Sequence, residues 1–346
     1  MMSFLVRHLL ESTFFCLILG AFAYGVRKGA TTRYAVWLMG IAKFAIPTVL
    51  LAKTGGQIAF LWPAAAWLSI ATYKVSWALA AILNLFPANR DLDLFTIWVL
   101  GTAVMIVIWA VRLRKSRRVL MLPAESEQAA LMRTRALLRV RVPVRLRVTE
   151  AAAEPALLGI WRPIIVIPRG LSARLTPAEF DAVLLHELAH ARRFDNLSGV
   201  LAHALVCLFW FHPLLWVLER RLNVERERAC DETVMASGTK PQIYAAGILK
   251  VCRFHLFDAA AGVSGISGAD LKGRLELILD EPATAGLLYV PWLLLASLAI
   301  FMTLVPIAGG YCEQCGSNGQ GSSDLHPAFR CKTPATCPQV TPRGIQ

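Results

Sequence analysis

The sequence predicts an α-helical integral membrane protein with about four transmembrane helices and an inserted small α+β domain. Hydrophobic residues make up 56% of the 346 residues and charged residues 17%, which is typical of a chain that lies largely in lipid. Apolar runs long enough to cross a bilayer lie toward both ends, and residues 112–281 between them are polar. The formal net charge of +13 fits basic cytoplasmic loops as well as nucleic acid binding. The distribution of charge along the chain must distinguish these two interpretations.

The first 111 residues are predicted to form the N-terminal membrane region, with transmembrane spans at about 9–26, 34–52 and 94–111. The basic run at 112–118 follows the third span and places that end in the cytoplasm. A cleavable signal peptide is the alternative for the first run, but Glu11 interrupts it and its stronger basic flank follows it. Residues 54–89 hold one charge and recurring tryptophans, which favours an interfacial or re-entrant segment, while a helical hairpin stays open.

The polar region 112–281 is predicted to be a cytoplasmic domain. Residues 139–148 alternate between apolar positions and positions that mostly hold arginine, and a period of two predicts a half-buried strand. A solvated strand face beside anionic lipid explains these arginines as well as a nucleic-acid surface does, so no direct contact with nucleic acid is expected. A second strand pair is expected at 155–163 and 164–167, broken at Gly159 and Pro163.

The stretch from Thr176 to Asp195 is predicted to be a helix. Thr176 suits the N-cap and Pro177 suits the first helical position. Glu179 lies where a capping box needs its side chain. The later half of this helix carries the pattern H-E-x-x-H.

His186, Glu187 and His190 form that pattern. Residues four apart lie on one helical face, so His186 and His190 can bind one metal ion, and Glu187 is placed to reach a water on the metal instead of the metal itself. Zinc lowers the pKa of such a water toward ~7, and a carboxylate beside it takes the proton during attack on a peptide carbonyl. The alternatives are a chance match and two histidines hydrogen-bonded in a core.

Residues 196–218 carry no formal charge, which resembles a further membrane crossing. A third metal ligand that follows this segment must reach the same ion as His186 and His190. The segment therefore cannot simply cross the hydrocarbon layer of the membrane, which is ~30 Å thick. A break at Pro213 instead predicts that 197–211 dips partly into lipid or protein core. A new helix is expected from there to about Gly238.

Glu227 and Asp231 lie on one face of that new helix, because they are four residues apart. Glu227 is predicted to complete a His2Glu zinc site, and Asp231 to hold the free N–H of a ligand imidazole from outside the coordination shell. Glu225 is the main competitor for the ligand role, and a surface helix of salt bridges is the alternative. The other histidines considered lack a partnered spacing and are expected to be structural: His203, His212 and His255.

The last membrane helix is expected at 286–308, within an uncharged stretch, and an extracytoplasmic tail follows at 309–346. Four of the eight cysteines lie in this tail: Cys312, Cys315, Cys331 and Cys337. An oxidising compartment favours disulfides among them, with three alternative pairings. Zinc binding by the four thiols is the alternative.

With these motifs, the sequence resembles the BlaR/MecR family of membrane zinc metallopeptidases, which are antirepressors. The resemblance covers roughly residues 1 to 310 and is carried by three segments and the flanking spans: PALLGIWRPIIVIP (155–168), LLHELAHARRFDN (184–196) and FWFHPLLWVLERRLNVERERACDETV (209–234). It implies a zincin-like metalloprotease domain in which His186, His190 and Glu227 bind one Zn²⁺. It also implies Glu187 as the catalytic base and Asp231 as the trailing acid of an E-x-x-x-D element.

The resemblance implies a multi-pass protein of the bacterial cytoplasmic (inner) membrane whose protease domain faces the cytoplasm. Such an endopeptidase cleaves itself or a cytoplasmic winged-helix repressor when a signal arrives outside; a homodimer is also left open. Antibiotic-sensing members carry a large C-terminal penicillin-binding domain, whereas about 38 residues follow the last span here, so β-lactam sensing is not predicted. The alternatives are a protease of membrane-protein quality control or processing, and a receptor or scaffold without catalysis.

Overall fold

The computed structural model describes six stretches of the chain, at residues 2–25, 29–46, 90–115, 120–150, 154–258 and 268–280. Three predicted features lie outside these stretches: the segment 54–89, the last membrane helix at 286–308 and the tail with its four cysteines. These features stay predictions.

The predicted N-terminal membrane region contains three described helices, α1 (Met2–Gly25), α2 (Ala30–Ala45) and α3 (Arg90–Lys115). By length and composition, His8–Gly25 and Leu92–Arg114 could each cross a membrane, and they coincide with the first and third predicted spans. No residue of the Leu92–Arg114 stretch is buried by the described parts of the chain, as expected of a helix surface that contacts lipid. α2 is the described part of the second predicted span.

Three short strands form one sheet in the order β1-β3-β2: β1 (Arg145–Thr149), β2 (Ala156–Leu158) and β3 (Ile164–Pro168). β1 runs parallel to β3, with Leu146 opposite Ile165, and β2 runs antiparallel to β3. Gly159 has a φ of +81°, a conformation that glycine adopts at little cost. The predicted break in the second strand pair is therefore confirmed.

The predicted strand at 139–148 is wrong over its first six residues, because β1 begins only at Arg145. Helix α4 (Glu125–Leu137) ends just before them, Arg139 has a φ of 52°, and Pro143 has no N–H for a strand ladder. The alternation of burial nevertheless extends through the segment. Its apolar side is buried, as at Val140, Val144, Leu146 and Val148.

The predicted motif helix is confirmed as α6 (Pro177–Arg193), which follows the short α5 (Leu171–Arg174). The Thr176 hydroxyl accepts a hydrogen bond from the Glu179 N–H, and the Glu179 carboxylate accepts one from the Thr176 N–H at 2.7 Å, which is a complete capping box. α6 ends at Phe194, whose φ of 56° is left-handed. This left-handed residue interrupts the helix, and the next helix, α7 (Asp195–Leu208), begins directly after it.

The predicted break near Pro213 is confirmed, because α7 ends at Leu208 and α8 spans Pro213–Ala236. Two helices follow, α9 (Pro241–Asp258) and α10 (Gly268–Asp280). α6 packs against α4, α8 and α9. Its apolar face joins the main core with the sheet and these helices through Leu131, Leu146, Ile165, Ile167, Leu184, Leu188 and Tyr244.

The chain divides into two compact units, with boundaries inside α1, α2 and α3. Unit 1 comprises Met1–Ala21, Ala42–Thr96 and Tyr289–Gln346, and unit 2 comprises Phe22–Ile41 and Ile97–Leu288. Within unit 1, a ring nitrogen of His8 lies 3.2 Å from the Phe44 carbonyl. Unit 2 contains the sheet, helices α4 to α10, the part of α3 from Ile97 onward and α2 as far as Ile41.

Candidate metal centre

The two histidines of the H-E-x-x-H pattern face each other on α6. Their Nε2 atoms are 3.2 Å apart and their ring centroids 4.8 Å apart. Glu227 on α8 completes the group, with Oε2 at 3.4 Å from His186 Nε2 and Oε1 at 3.8 Å from His190 Nε2. The three ligand atoms all lie within 4.8 Å of one another. Two imidazoles and a carboxylate are the donor set of a zinc site that keeps a fourth position open.

The other ring nitrogen of each histidine already has a hydrogen-bond partner. His186 Nδ1 lies 2.8 Å from the Tyr244 hydroxyl and 3.2 Å from Asp231 Oδ1, and His190 Nδ1 lies 2.8 Å from Asp195 Oδ2. Such partners fix the tautomer and the orientation of an imidazole. Both Nε2 atoms are thereby directed toward Glu227.

The charges of this group hold a proton strongly when no cation is bound. Burial lowers the pKa of His186, but the carboxylates of Asp231 and Glu227 outweigh burial and raise that pKa to about 9. Burial would raise the pKa of Glu227, but the two imidazoles lower it to well below its ordinary value. A positive charge is therefore stabilised where the three ligand atoms meet, and a metal ion supplies one.

Asp231 belongs to a buried network that joins three helices. The Arg274 guanidinium on α10 donates to both oxygens of Asp231 at 2.8 Å, and the Tyr244 hydroxyl on α9 donates to Oδ1 at 2.6 Å. Burial raises the pKa of Asp231, but Arg274 outweighs it and the pKa falls below its ordinary value. Asp231 therefore stays ionised beside His186. This position suits its predicted role, which is to hold the free N–H of a ligand imidazole.

The remaining predicted residues occupy other positions. Glu187 follows His186 on α6 and is 8% exposed, outside the group of three ligand atoms. Glu225, the competitor for the ligand role, instead binds Arg33 at 2.8 Å and Arg228 at 3.2 Å. Its carboxylate is engaged away from the histidines, and this favours Glu227 as the ligand.

The other histidines considered in the sequence lie on different parts of the chain. His203 Nδ1 lies 2.7 Å from Glu219 Oε1, and its ring meets Trp109 edge to face. His212 directly precedes α8, and His255 lies in α9. They stay predicted as structural.

Four residues of the site were missed by sequence reasoning: Asp195, Cys230, Tyr244 and Arg274. Asp195 could have been found, because a carboxylate five residues after His190 lies about one turn further along the chain. Cys230 Sγ lies 3.3 Å from His190 Nδ1, and burial raises the pKa of its thiol well above the ordinary value. Cys230 also forms a second group with His190 and Asp195 whose ligand atoms lie within 4.8 Å of one another. Tyr244 and Arg274 lie on later helices.

A family model described as BlaR1 peptidase M56 matches residues 3–278. This chain belongs to that family. The matched region includes both halves of the candidate metal centre, from α6 and α8. The resemblance to the BlaR/MecR metallopeptidases is thus confirmed, and the family assignment implies a peptidase.

Curated members of the M56 family are similar to part of the chain. The "Regulatory protein BlaR1" of Bacillus licheniformis is 31% identical over 149 residues, which are 42% of this chain and 25% of the relative. The "Methicillin resistance mecR1 protein" of Staphylococcus aureus (strain Mu50 / ATCC 700699) is 25% identical over 130 residues, 36% of this chain and 22% of the relative. The Staphylococcus epidermidis protein gives the same figures. The match spans about a quarter of each relative or less.

Proposed function

We propose that this protein is a membrane-embedded, zinc-dependent endopeptidase that acts in transmembrane signalling. The observation that carries the proposal is the group of His186, His190 and Glu227, with three ligand atoms within 4.8 Å of one another. Membership of the M56 peptidase family supports hydrolysis as the chemistry. The two apolar stretches in α1 and α3 support a location in the bacterial inner membrane.

The donor set fits Zn²⁺ better than a hard cation. Imidazole nitrogens suit zinc, whereas Mg²⁺ and Ca²⁺ prefer sites built from oxygen ligands. His186 Nε2, His190 Nε2 and one oxygen of Glu227 would hold a single ion per chain. When bound, the ion supplies Lewis acidity toward a peptide carbonyl and lowers the pKa of a water.

The chain's own residues would carry the proton transfers. Glu187 accepts a proton on its carboxylate as a water oxygen bonds to the carbonyl carbon, and then delivers that proton to the leaving amine nitrogen when the C–N bond breaks. Asp231 and Asp195 keep His186 and His190 in the tautomer that leaves Nε2 free. Their low exposure, 5% and 1%, keeps water from competing for the imidazole N–H groups.

The substrate is proposed to be the protein itself, a cytoplasmic winged-helix repressor, or both. The names of the relatives support a regulatory role, because one is a "Regulatory protein" and another a "Methicillin resistance" protein. The basic run after α3 supports a cytoplasmic position for the polar domain. Cleavage that depends on an external signal would distinguish this role from quality control or processing.

The test is a Glu187→Gln variant of the full-length protein in detergent, with Glu150→Gln as the matched control. Glu150 is an exposed residue paired with Arg169. We expect Glu187→Gln to retain zinc, measured by elemental analysis, and to lower the cleavage rate by about 10²-fold or more, because general base catalysis contributes that much. A wild-type protein without zinc, or a Glu187→Gln variant that cleaves as fast as Glu150→Gln, would contradict the proposal.

A further inference from the structure

The first residues of α2 contact the helix that carries Glu227. We call residues 30–34 the docking turn; it lies inside unit 2, as the metal centre does. The carboxylate of Glu232 accepts hydrogen bonds from the first two N–H groups of the docking turn, one of them at 3.2 Å. Arg33 Nε donates to Glu225 Oε2 at 2.8 Å. Two carboxylates of α8 are thus bound by the start of α2.

These two carboxylates lie on either side of Glu227 in the sequence. Glu225 and Glu232 are seven residues apart, about two helical turns, and therefore lie on the same face of α8. The Glu225 side chain is 7% exposed, so its pair with Arg33 is largely shielded from water. The segment of α8 that presents Glu227 is held against α2 at both ends.

Tyr34 provides the third contact, and this one reaches a partner of the metal centre. The Tyr34 hydroxyl donates to Asp195 Oδ1 at 3.2 Å and lies 2.7 Å from Ser198 Oγ. The other oxygen of Asp195, Oδ2, lies 2.8 Å from His190 Nδ1. A chain of hydrogen bonds therefore joins α2 to the second imidazole of the H-E-x-x-H pattern.

The residues in this chain of hydrogen bonds are shielded from water. Tyr34 is 8% exposed and Asp195 1%, so water does not readily replace either partner. The Arg193 guanidinium lies 4.2 Å from the centre of the Tyr34 ring and 3.3 Å from Asp195 Oδ1. The Arg193 guanidinium therefore contacts both the Tyr34 ring and the Asp195 carboxylate.

We propose that the docking turn is a positioning element of the metal centre, and that Tyr34 is a positioning residue. Tyr34 touches neither metal nor substrate; it holds Asp195, and Asp195 holds His190 in the orientation that presents Nε2. This inference rests on the proposed zinc site. It adds that a residue of a predicted transmembrane helix determines how well that site binds its ion.

The test measures metal binding by the full-length protein in detergent. Zinc affinity is measured by competition with a chelator, and the visible spectrum of the Co²⁺-loaded protein reports ligand geometry. The variants are Tyr34→Phe, Asp195→Asn and the double variant. Tyr24→Phe is the matched control, because Tyr24 precedes α2, stacks edge to face on Trp37 and is 67% exposed.

We expect Tyr34→Phe to weaken zinc binding by about 3- to 10-fold, because one buried hydrogen bond is lost. Asp195→Asn should weaken it by about 10- to 100-fold, as loss of an outer partner of a ligand does. The double variant should bind no more weakly than Asp195→Asn, because Tyr34 acts through Asp195. Both single variants should change the cobalt spectrum, and Tyr24→Phe should not.

Two results would overturn the inference while leaving the proposed zinc site intact. One is a Tyr34→Phe variant with the wild-type affinity and cobalt spectrum, even if its thermal stability is lower. The other is an additive loss of affinity in the double variant. A wild-type protein that takes up no metal would overturn the zinc site and this inference together.

Discussion

At the residue scale, His186 is governed by two opposing effects. Burial removes hydration from the imidazolium and lowers the pKa, whereas the carboxylates of Asp231 and Glu227 stabilise the proton and raise the pKa to about 9. An imidazole binds a metal only through a deprotonated nitrogen, so the proton and the metal ion compete for the same ring. Metal uptake is therefore linked to pH through this residue.

We expect zinc uptake below pH 9 to release about one proton, and zinc affinity to rise up to about tenfold per pH unit as pH approaches the His186 pKa. The metal-free protein has the opposite dependence. Because the folded pKa lies above the ordinary value of 6.5, protonation of His186 stabilises the fold fully below pH 6.5, and this stabilisation is lost as pH rises through about 9.

Calorimetric zinc titrations in two buffers of different ionisation enthalpy, near neutral pH, measure the released proton directly. A zinc affinity that does not change between pH 6.5 and 9 would show that His186 binds no proton in competition with the metal.

The sequence predicted those site residues whose positions follow from one helix. Spacing of four places His186 beside His190 and Glu227 beside Asp231, because helical geometry is local. Tyr244 and Arg274 could not be predicted in this way, since each reaches Asp231 from a separate helix. Their proximity depends on how α9 and α10 pack, and no local pattern encodes that packing.

At the scale of elements, α10 is attached to α8 by a buried ion pair. Arg274 is 7% exposed and Asp231 is 5% exposed, and the guanidinium binds both carboxylate oxygens at 2.8 Å. Removing one partner of such a pair leaves an uncompensated charge in the protein interior. The pair therefore contributes to holding α10 against α8.

We expect Arg274→Met to lower the free energy of unfolding by about 3–5 kcal/mol, because the buried Asp231 carboxylate loses its guanidinium partner. Thermal unfolding of the full-length protein measures the change. Lys272→Met on the same helix is the matched control. The Lys272 side chain is 79% exposed and its amine lies 3.7 Å from Glu276, and surface pairs contribute little.

Adding Asp231→Asn to Arg274→Met should restore part of the lost stability, because the unpaired charge is then gone. If Arg274→Met and Lys272→Met unfold at the same temperature, the pair does not hold α10 in place.

Elements with strong local signals were predicted best. The cap formed by Thr176, Pro177 and Glu179 determines where α6 begins, and all three residues lie within four positions. The region 139–148 shows the limit of pattern alone, since its alternation of burial is present but β1 starts only at Arg145. An alternating pattern indicates which side chains face the core. A strand also needs backbone N–H groups that bond to a neighbouring strand, and Pro143 has no backbone N–H.

At the scale of the whole molecule, α3 is the described helix with the strongest signal for a membrane span. The stretch Leu92–Arg114 is apolar, is not buried by other described residues, and ends in basic residues. Val104, near its middle, is 57% exposed. These properties predict a membrane-spanning helix whose C-terminal end is cytoplasmic.

We expect Val104→Arg to impair insertion of α3, because an arginine at the centre of a transmembrane helix costs about 2.5–3.5 kcal/mol. Alkaline phosphatase fused after residue 124 reports the outcome, since it is active only outside the cytoplasm: its activity should be low in the wild type and higher in Val104→Arg.

Leu122→Arg is the control for this experiment, because Leu122 is 79% exposed and lies outside the apolar stretch. High phosphatase activity in the wild-type fusion would contradict the predicted orientation, and equal activity in the two arginine variants would contradict the membrane position of Val104.

The docking turn also bears on the biogenesis of the enzyme. Its bond to Glu232 joins residues 202 positions apart in the chain, so the ribosome releases α2 long before α8 is made. The hydrogen bonds between the docking turn and α8 can therefore form only after α8 has been synthesised. A fragment that begins at residue 112 would lack the docking turn, and with it the Arg33 partner of Glu225 and the two N–H groups that bind Glu232.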